Sequence, residues 1–180
     1  MHERRFHGQA DRLRSPQRLE LLEVARVVAL CLEDLEAETV LDVGAGTGVF
    51  AEAFSQQGLA VSAIDVNPDL LEIARRYAPQ ATFRQAPAEA IPFPDRSFDL
   101  VFLGHVLHET DERLRALQEA RRLARKRVVI LEWPYLEEEH GPPLEHRLKP
   151  EEVLELGKQA GFEAVETLQL RHMVLFRMGR

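Results

Sequence analysis

A chain of 180 residues, 45% hydrophobic and 29% charged, has the length of one ordinary domain and the apolar content for a sizeable core, which excludes a disordered chain. Its net charge of −7 excludes a general nucleic-acid binder held by phosphate neutralisation, leaving only a local basic patch open, and no apolar run is long enough to span a bilayer. The single cysteine, Cys31, excludes an internal disulfide and a cysteine-built zinc site; with a charged amino terminus that no apolar run follows, it sets the expectation of a cytoplasmic protein.

Residues 1–16 are polar and arginine-rich. Ser15 and Pro16 then supply an N-cap and a first helical residue. Leu19, Leu22, Val24, Ala25, Val28, Ala29 and Leu32 recur at helical spacing, predicting one packing helix over 18–35 with Cys31 in its apolar run. Val40, Leu41 and Val43, broken only by Asp42, predict a strand buried on both faces. It runs into Gly44, Gly46 and Gly48, where missing Cβ atoms permit a sharp turn and close approach of a ligand to the main chain. A helix over 47–57 is expected next, stopped by Gly58. A dinucleotide fingerprint would place its third glycine where Val49 stands, and no basic residue follows to hold phosphates.

This Gly-x-Gly-x-Gly turn, with Asp42 two residues before it, resembles that of the class I S-adenosylmethionine-dependent methyltransferases; a purely structural turn is the alternative. The resemblance implies a Rossmann-like α/β fold, a seven-stranded mostly parallel sheet flanked by helices with its last strand antiparallel. It implies S-adenosyl-L-methionine as cofactor and S-adenosyl-L-homocysteine as product, with Asp42, Gly44, Ala45, Gly46 and Gly48 against the methionine and ribose portions.

Residues 60–64 predict a second strand ending at Asp65, an acidic residue placed to accept hydrogen bonds from both ribose hydroxyls, with Val66 beside it. Asn67 and Pro68 open the next helix, and the segment 65–75 is similar to the family's second strand and helix. Residues 81–85 predict a third strand. In the family an aspartate then takes the adenine amino group; here Pro87 replaces it, leaving the Ala88 amide and either Glu89 or a main-chain carbonyl for adenine. Residues 98–104 read as a buried parallel strand ending at Gly104, followed by His105, Val106, Leu107, His108 and Glu109, which should face the methyl donor and acceptor. A helix over 111–125 follows, its end carrying Arg121, Arg122, Arg125, Lys126 and Arg127, read as complementing the helix dipole. Residues 128–132 form a fifth strand, 149–160 a last helix, and 162–168 with 171–178 a closing strand pair.

The segments 7–18 and 141–163 are similar to small bacterial relatives of the quinone-biosynthesis C-methyltransferases. In such enzymes the leader often folds over the cofactor; a solvated arm is the other reading. The expected organisation is a single structural domain, with residues 1–37 as arm and lid or packing helix and 38–180 as the cofactor-binding methyltransferase domain.

Methyl transfer needs alignment above all, and a general base only where the acceptor carries a proton. Candidate groups are His105, His108 and Glu109, with Tyr135, His140, His146 and Arg147 near them; His105 or His108 is preferred because imidazole titrates near neutrality. The favoured reading is transfer to a small-molecule acceptor, without nucleic acid or membrane span, by a monomer or homodimer. The alternative is a non-catalytic S-adenosylmethionine-binding regulatory module. A metal site on His105-x-x-His108-Glu109 is a third reading, without an evident third ligand, and no metal is expected.

Overall fold

A computed structural model describes residues 10–179, so His7, Gly8 and Gln9 of the leader lie outside the described residues. The elements are α1 (Ala10–Leu13), α2 (Pro16–Leu22), α3 (Val24–Leu32), β1 (Thr39–Val43), α4 (Val49–Gln56), β2 (Ala60–Asp65), α5 (Pro68–Tyr77), β3 (Thr82–Gln85), β4 (Phe98–Gly104), α6 (Arg113–Leu123), β5 (Ala124–Glu132), α7 (Pro150–Gln159), β6 (Ala164–Gln169) and β7 (Val174–Gly179). Seven strands form one sheet in the order β3-β2-β1-β4-β5-β7-β6, in which β7 alone runs against the others. The fold expected from the glycine turn is therefore the observed one.

Alternation along the central strands divides the core into two apolar layers. Leu41, Val43, Val101 and Leu103 face the layer holding Leu117 and Leu123 of α6 and Val153 of α7. Val40, Leu100 and Phe102 face the layer holding Val28 and Cys31 of α3 and Phe54 of α4. Period two puts Asp42 on the same face as Val40, where it is 2% exposed.

Two elements differ from expectation. The single helix over 18–35 is broken at Glu23, which adopts left-handed backbone at φ 45° and hands α2 over to α3. Its carboxylate accepts the Arg171 amide at 2.8 Å, a long-range contact that offsets the local strain. The helix over 111–125 ends at Leu123, and β5 begins at Ala124 because Phe98 of β4 pairs with it. Arg125 and Arg127 consequently do not complement their own helix. Arg125 donates to the carbonyls of Arg96 and Ser97, and Arg127 to those of Cys31 and Glu33 at the end of α3.

Gly48 caps α4 at φ 77°, so that helix starts at Val49 and not at Thr47. A Cβ here would lie 2.8 Å from the Ala74 Cβ of α5. Gly48→Ala combines that collision with a disfavoured backbone and is expected to destabilise the fold by about 1–3 kcal/mol. A denaturation midpoint equal to wild type would show that α4 and α5 do not meet there.

Candidate active site

The sheet order reverses at β1 and β4, the place in an open α/β sheet where a crevice forms beyond the carboxyl ends of the strands. A cavity of about 650 Å³ occupies that position. Asp42, Gly44, Ala45, Gly46, Asp65, Val66, Ala88, Glu89, Gly104, His105, His108 and Glu109 all line it. Gly48 does not, and the space its side chain would take is filled by Ala74 of α5.

At one end of the cavity, Asp65 closes β2. Its Oδ2 accepts the Gly46 amide and its Oδ1 the Asn67 amide, each at 2.8 Å, which fixes the carboxylate and clamps the glycine turn. Burial pushes its pKa up, opposed by the amides of Asn67, Gly46 and Val66. Gly44 permits close contact between the turn and the segment after β4, since a Cβ would fall 1.9 Å from the Val106 Cγ2. From the leader, Arg14 donates to the Thr47 carbonyl at 3.1 Å and pairs with Glu52 at 2.8 Å, so the arm is tied to the glycine turn.

Between the two ends lie Asp42 and Thr47. Among the described residues, Asp42 Oδ2 and Thr47 Oγ1 are buried without a hydrogen-bond partner. Burial and the neighbouring Asp65 push the Asp42 carboxyl up to about 7, with the Ala51 amide opposing. Stability from the protonated form is present below about pH 4 and lost as pH rises through about 7, on the order of 4 kcal/mol in total. The ligand-free protein should accordingly lose several degrees of Tm between pH 5 and pH 8, and Asp42→Asn should flatten that slope. Parallel slopes for the two proteins would contradict this assignment.

The far end is built by β4 and β5, whose register sets Gly104 beside Leu131. His108 Nδ1 lies 2.7 Å from Glu132 Oε2, and the His108 amide donates to Glu132 Oε1 at 3.1 Å. A carboxylate at Nδ1 fixes the proton there and leaves the Nε2 lone pair available, with Glu109 Oε1 at 3.8 Å. Burial lowers the His108 pKa, but the charge and hydrogen bond of Glu132 outweigh it and the net direction is upward. His105 differs. Burial first, then the Arg18 and His108 charges, hold it well below the usual histidine range. It has left-handed backbone at φ 59°, and its Nε2 sits 3.1 Å from the Met173 sulfur. Of the two histidines, His108 thus has the geometry of a base.

His146 also lines the cavity, whereas Tyr135 and His140 do not. Arg147 is buried, donating to the carbonyls of Pro134, His140 and Pro142 and pairing with Glu138; it fastens the loop over Trp133 and is not free for chemistry. Among the described residues no group of three His, Cys, Asp or Glu side chains is arranged to hold a metal. Glu132, Arg18, Thr47 and Trp133 were not singled out in the sequence as site residues. An acid ending an apolar strand was the available signal for Glu132, the same that marks Asp65.

The family described as methyltransferase domain matches residues 41–131. A demethylmenaquinone methyltransferase from Renibacterium salmoninarum is 33% identical over 112 residues, covering 61% of this chain and 47% of that one. A ubiquinone/menaquinone biosynthesis C-methyltransferase from Hahella chejuensis is 36% identical over 107 residues, covering 53% and 43%. The chain spans about half the length of these curated relatives. The crystal structure of a SAM-dependent methyltransferase from Aquifex aeolicus matches with a TM-score of 0.84 at 27% identity, covering 94% of this chain and 95% of that one. Magnesium protoporphyrin IX methyltransferase from Synechocystis, with SAH bound, matches in fold with a TM-score of 0.74 at 18% identity, covering 97% and 90%.

Proposed function

The chain belongs to the methyltransferase-domain family of S-adenosylmethionine-dependent enzymes, and from that premise we propose that it transfers a methyl group to a proton-bearing small-molecule acceptor. The observation that carries this reading is one cavity with the Asp65-clamped glycine turn at one end and the His108–Glu132 pair at the other.

The residues present fit the cofactor. Asp65 is oriented for ribose hydroxyls, Ala88 and Glu89 are available to adenine in place of the aspartate that Pro87 displaces, and the unpartnered Asp42 and Thr47 oxygens suit an ammonium group. S-adenosylmethionine, when bound, supplies an electrophilic sulfonium methyl. His108 Nε2 takes the acceptor proton, and Glu132 holds the ring in the required tautomer and stabilises the imidazolium that results. Gly104 lines the cavity with its backbone while its missing Cβ makes room for the Phe102 ring, and His105 stays neutral as a wall residue. The chain divides into an arm and lid or packing helix within residues 1–37 and a catalytic domain within residues 38–180. The protein works in the cytoplasm as a monomer or homodimer, without nucleic acid. Among the described residues no helix is long and apolar enough to cross a membrane.

The test is calorimetric titration with S-adenosylmethionine, S-adenosylhomocysteine and NAD, followed by an acceptor screen with radiolabelled methyl donor. Binding of both sulfur nucleosides and not NAD, with label transferred to an acceptor, is expected. Binding of NAD alone would sink the proposal. The runner-up, a regulatory module favoured by Pro87, predicts tight cofactor binding with no labelled product from any acceptor.

A further inference from the structure

Arg18 of α2 lines the cavity with its guanidinium 4.8 Å from the Trp133 ring centroid. Among the described residues its side chain makes no hydrogen bond, whereas Arg147 on the same indole makes four. Arg14 is anchored by Thr47 and Glu52 through Nε and Nη1, with its Nη2 buried and unpartnered, and Arg147, against the same indole at 5.5 Å, is held by three carbonyls and Glu138. A guanidinium stays charged when buried, and its donors are costly to leave without acceptors. Burial pulls the Arg18 pKa down, and the Glu109 charge opposes that. Glu109 also lies beside His108, 3.8 Å from its Nε2, so its charge acts on both side chains.

The position separates Arg18 from the nucleoside end. Its neighbours His105, His108, Glu109 and Trp133 follow β4 and β5, whereas Asp65 and Val66 follow β2, with β1 between them. We infer that Arg18 receives a carboxylate of the methyl acceptor, so that the substrate class is an acid whose nucleophilic hydroxyl or amine is presented to His108 while its carboxylate is held by the guanidinium fork. A planar oxyanion matches that fork with two parallel hydrogen bonds, which fixes orientation as well as affinity. The inference rests on the methyltransferase reading.

The experiment uses the full chain loaded with S-adenosylhomocysteine, titrated with salicylate, para-hydroxybenzoate and their carboxamides, in wild type, R18Q and R18K. At least one carboxylate is expected to bind ten-fold or more tighter than its amide, with the difference erased in R18Q and partly kept in R18K. Affinity of R18Q for S-adenosylhomocysteine should match wild type, which also reports a folded protein. Equal binding of carboxylates and amides, or no binding of either carboxylate, overturns the inference. R18Q that weakens S-adenosylhomocysteine but not methylthioadenosine, which lacks the amino-acid carboxylate, assigns Arg18 to the cofactor and overturns it too. Failure of wild type to bind S-adenosylhomocysteine removes the methyltransferase reading itself.

Discussion

Asp65→Ala is expected to lower affinity for S-adenosylhomocysteine roughly 100-fold, because charge-assisted hydrogen bonds to a ribose are each worth about 1.5–3 kcal/mol and the two hydroxyls share one carboxylate. The effect has a second source within the protein. The Gly46 and Asn67 amides, each 2.8 Å from that carboxylate, lose their acceptor, so the glycine turn and the start of α5 loosen together. Asp65→Asn keeps the side-chain shape but can accept with one atom only, so one of the two amides loses its acceptor and both stability and affinity should fall, the stability by less than in the alanine variant. Calorimetry alongside thermal unfolding reads both. Wild-type affinity in the alanine variant would mean that the ribose is held elsewhere and that Asp65 is a turn clamp alone.

His108→Ala is expected to reduce kcat by roughly 100- to 10,000-fold on a protonated acceptor while leaving cofactor affinity intact, the range found for removal of a general base. The more informative variant is Glu132→Gln. Glutamine can keep a hydrogen bond to Nδ1 but not the charge, so the upward pull on the His108 pKa disappears and burial prevails. A base works in its neutral form. In wild type kcat/KM should therefore rise with pH through a value above the ordinary histidine pKa, and in Glu132→Gln the rising limb should move to lower pH with a lower plateau. A merely structural Glu132 would lower activity without moving the limb. Full turnover by His108→Ala would remove the proton-transfer role and leave alignment as the source of catalysis.

The arm and the loop after β5 bear on both predictions, since they enclose the far end of the cavity. Arg14 ties the arm to Thr47 and Glu52, and Arg147 ties the loop to its own carbonyls. Trp133 stands between these regions, with Arg18 and Arg147 both against its ring and Gly141 so close that a Cβ would lie 2.7 Å from it. Water exclusion around His108 and Glu132 depends on this roof, whose parts lie more than a hundred residues apart in the chain.

The glycine-turn end of the cavity was legible in the sequence because it is local. One strand, one glycine turn and the acid closing the next strand lie within residues 39–65, and the caps Ser15-Pro16 and Asn67-Pro68 announce their helices through their own side chains. The seven-stranded, mostly parallel sheet with its last strand antiparallel followed from the family resemblance carried by that same turn, while the strand order was read from the structure. What needed the tertiary structure was every pairing across distance. Glu132 meets His108 through the register of β4 and β5, although 24 residues separate them. Arg18 lines the cavity from α2, a helix that the left-handed Glu23 separates from α3, and that break is held by Arg171 near the other end of the chain and not announced by local propensity. The third glycine of the motif turned out to serve helix packing, and the basic cluster after α6 to satisfy carbonyls of neighbouring elements. Local chemistry determined the strand, the turn and the caps, since a backbone conformation and its nearest hydrogen bonds depend on adjacent residues. Which acid stands beside which base was decided by strand register and chain reversal, to which distant residues contribute together.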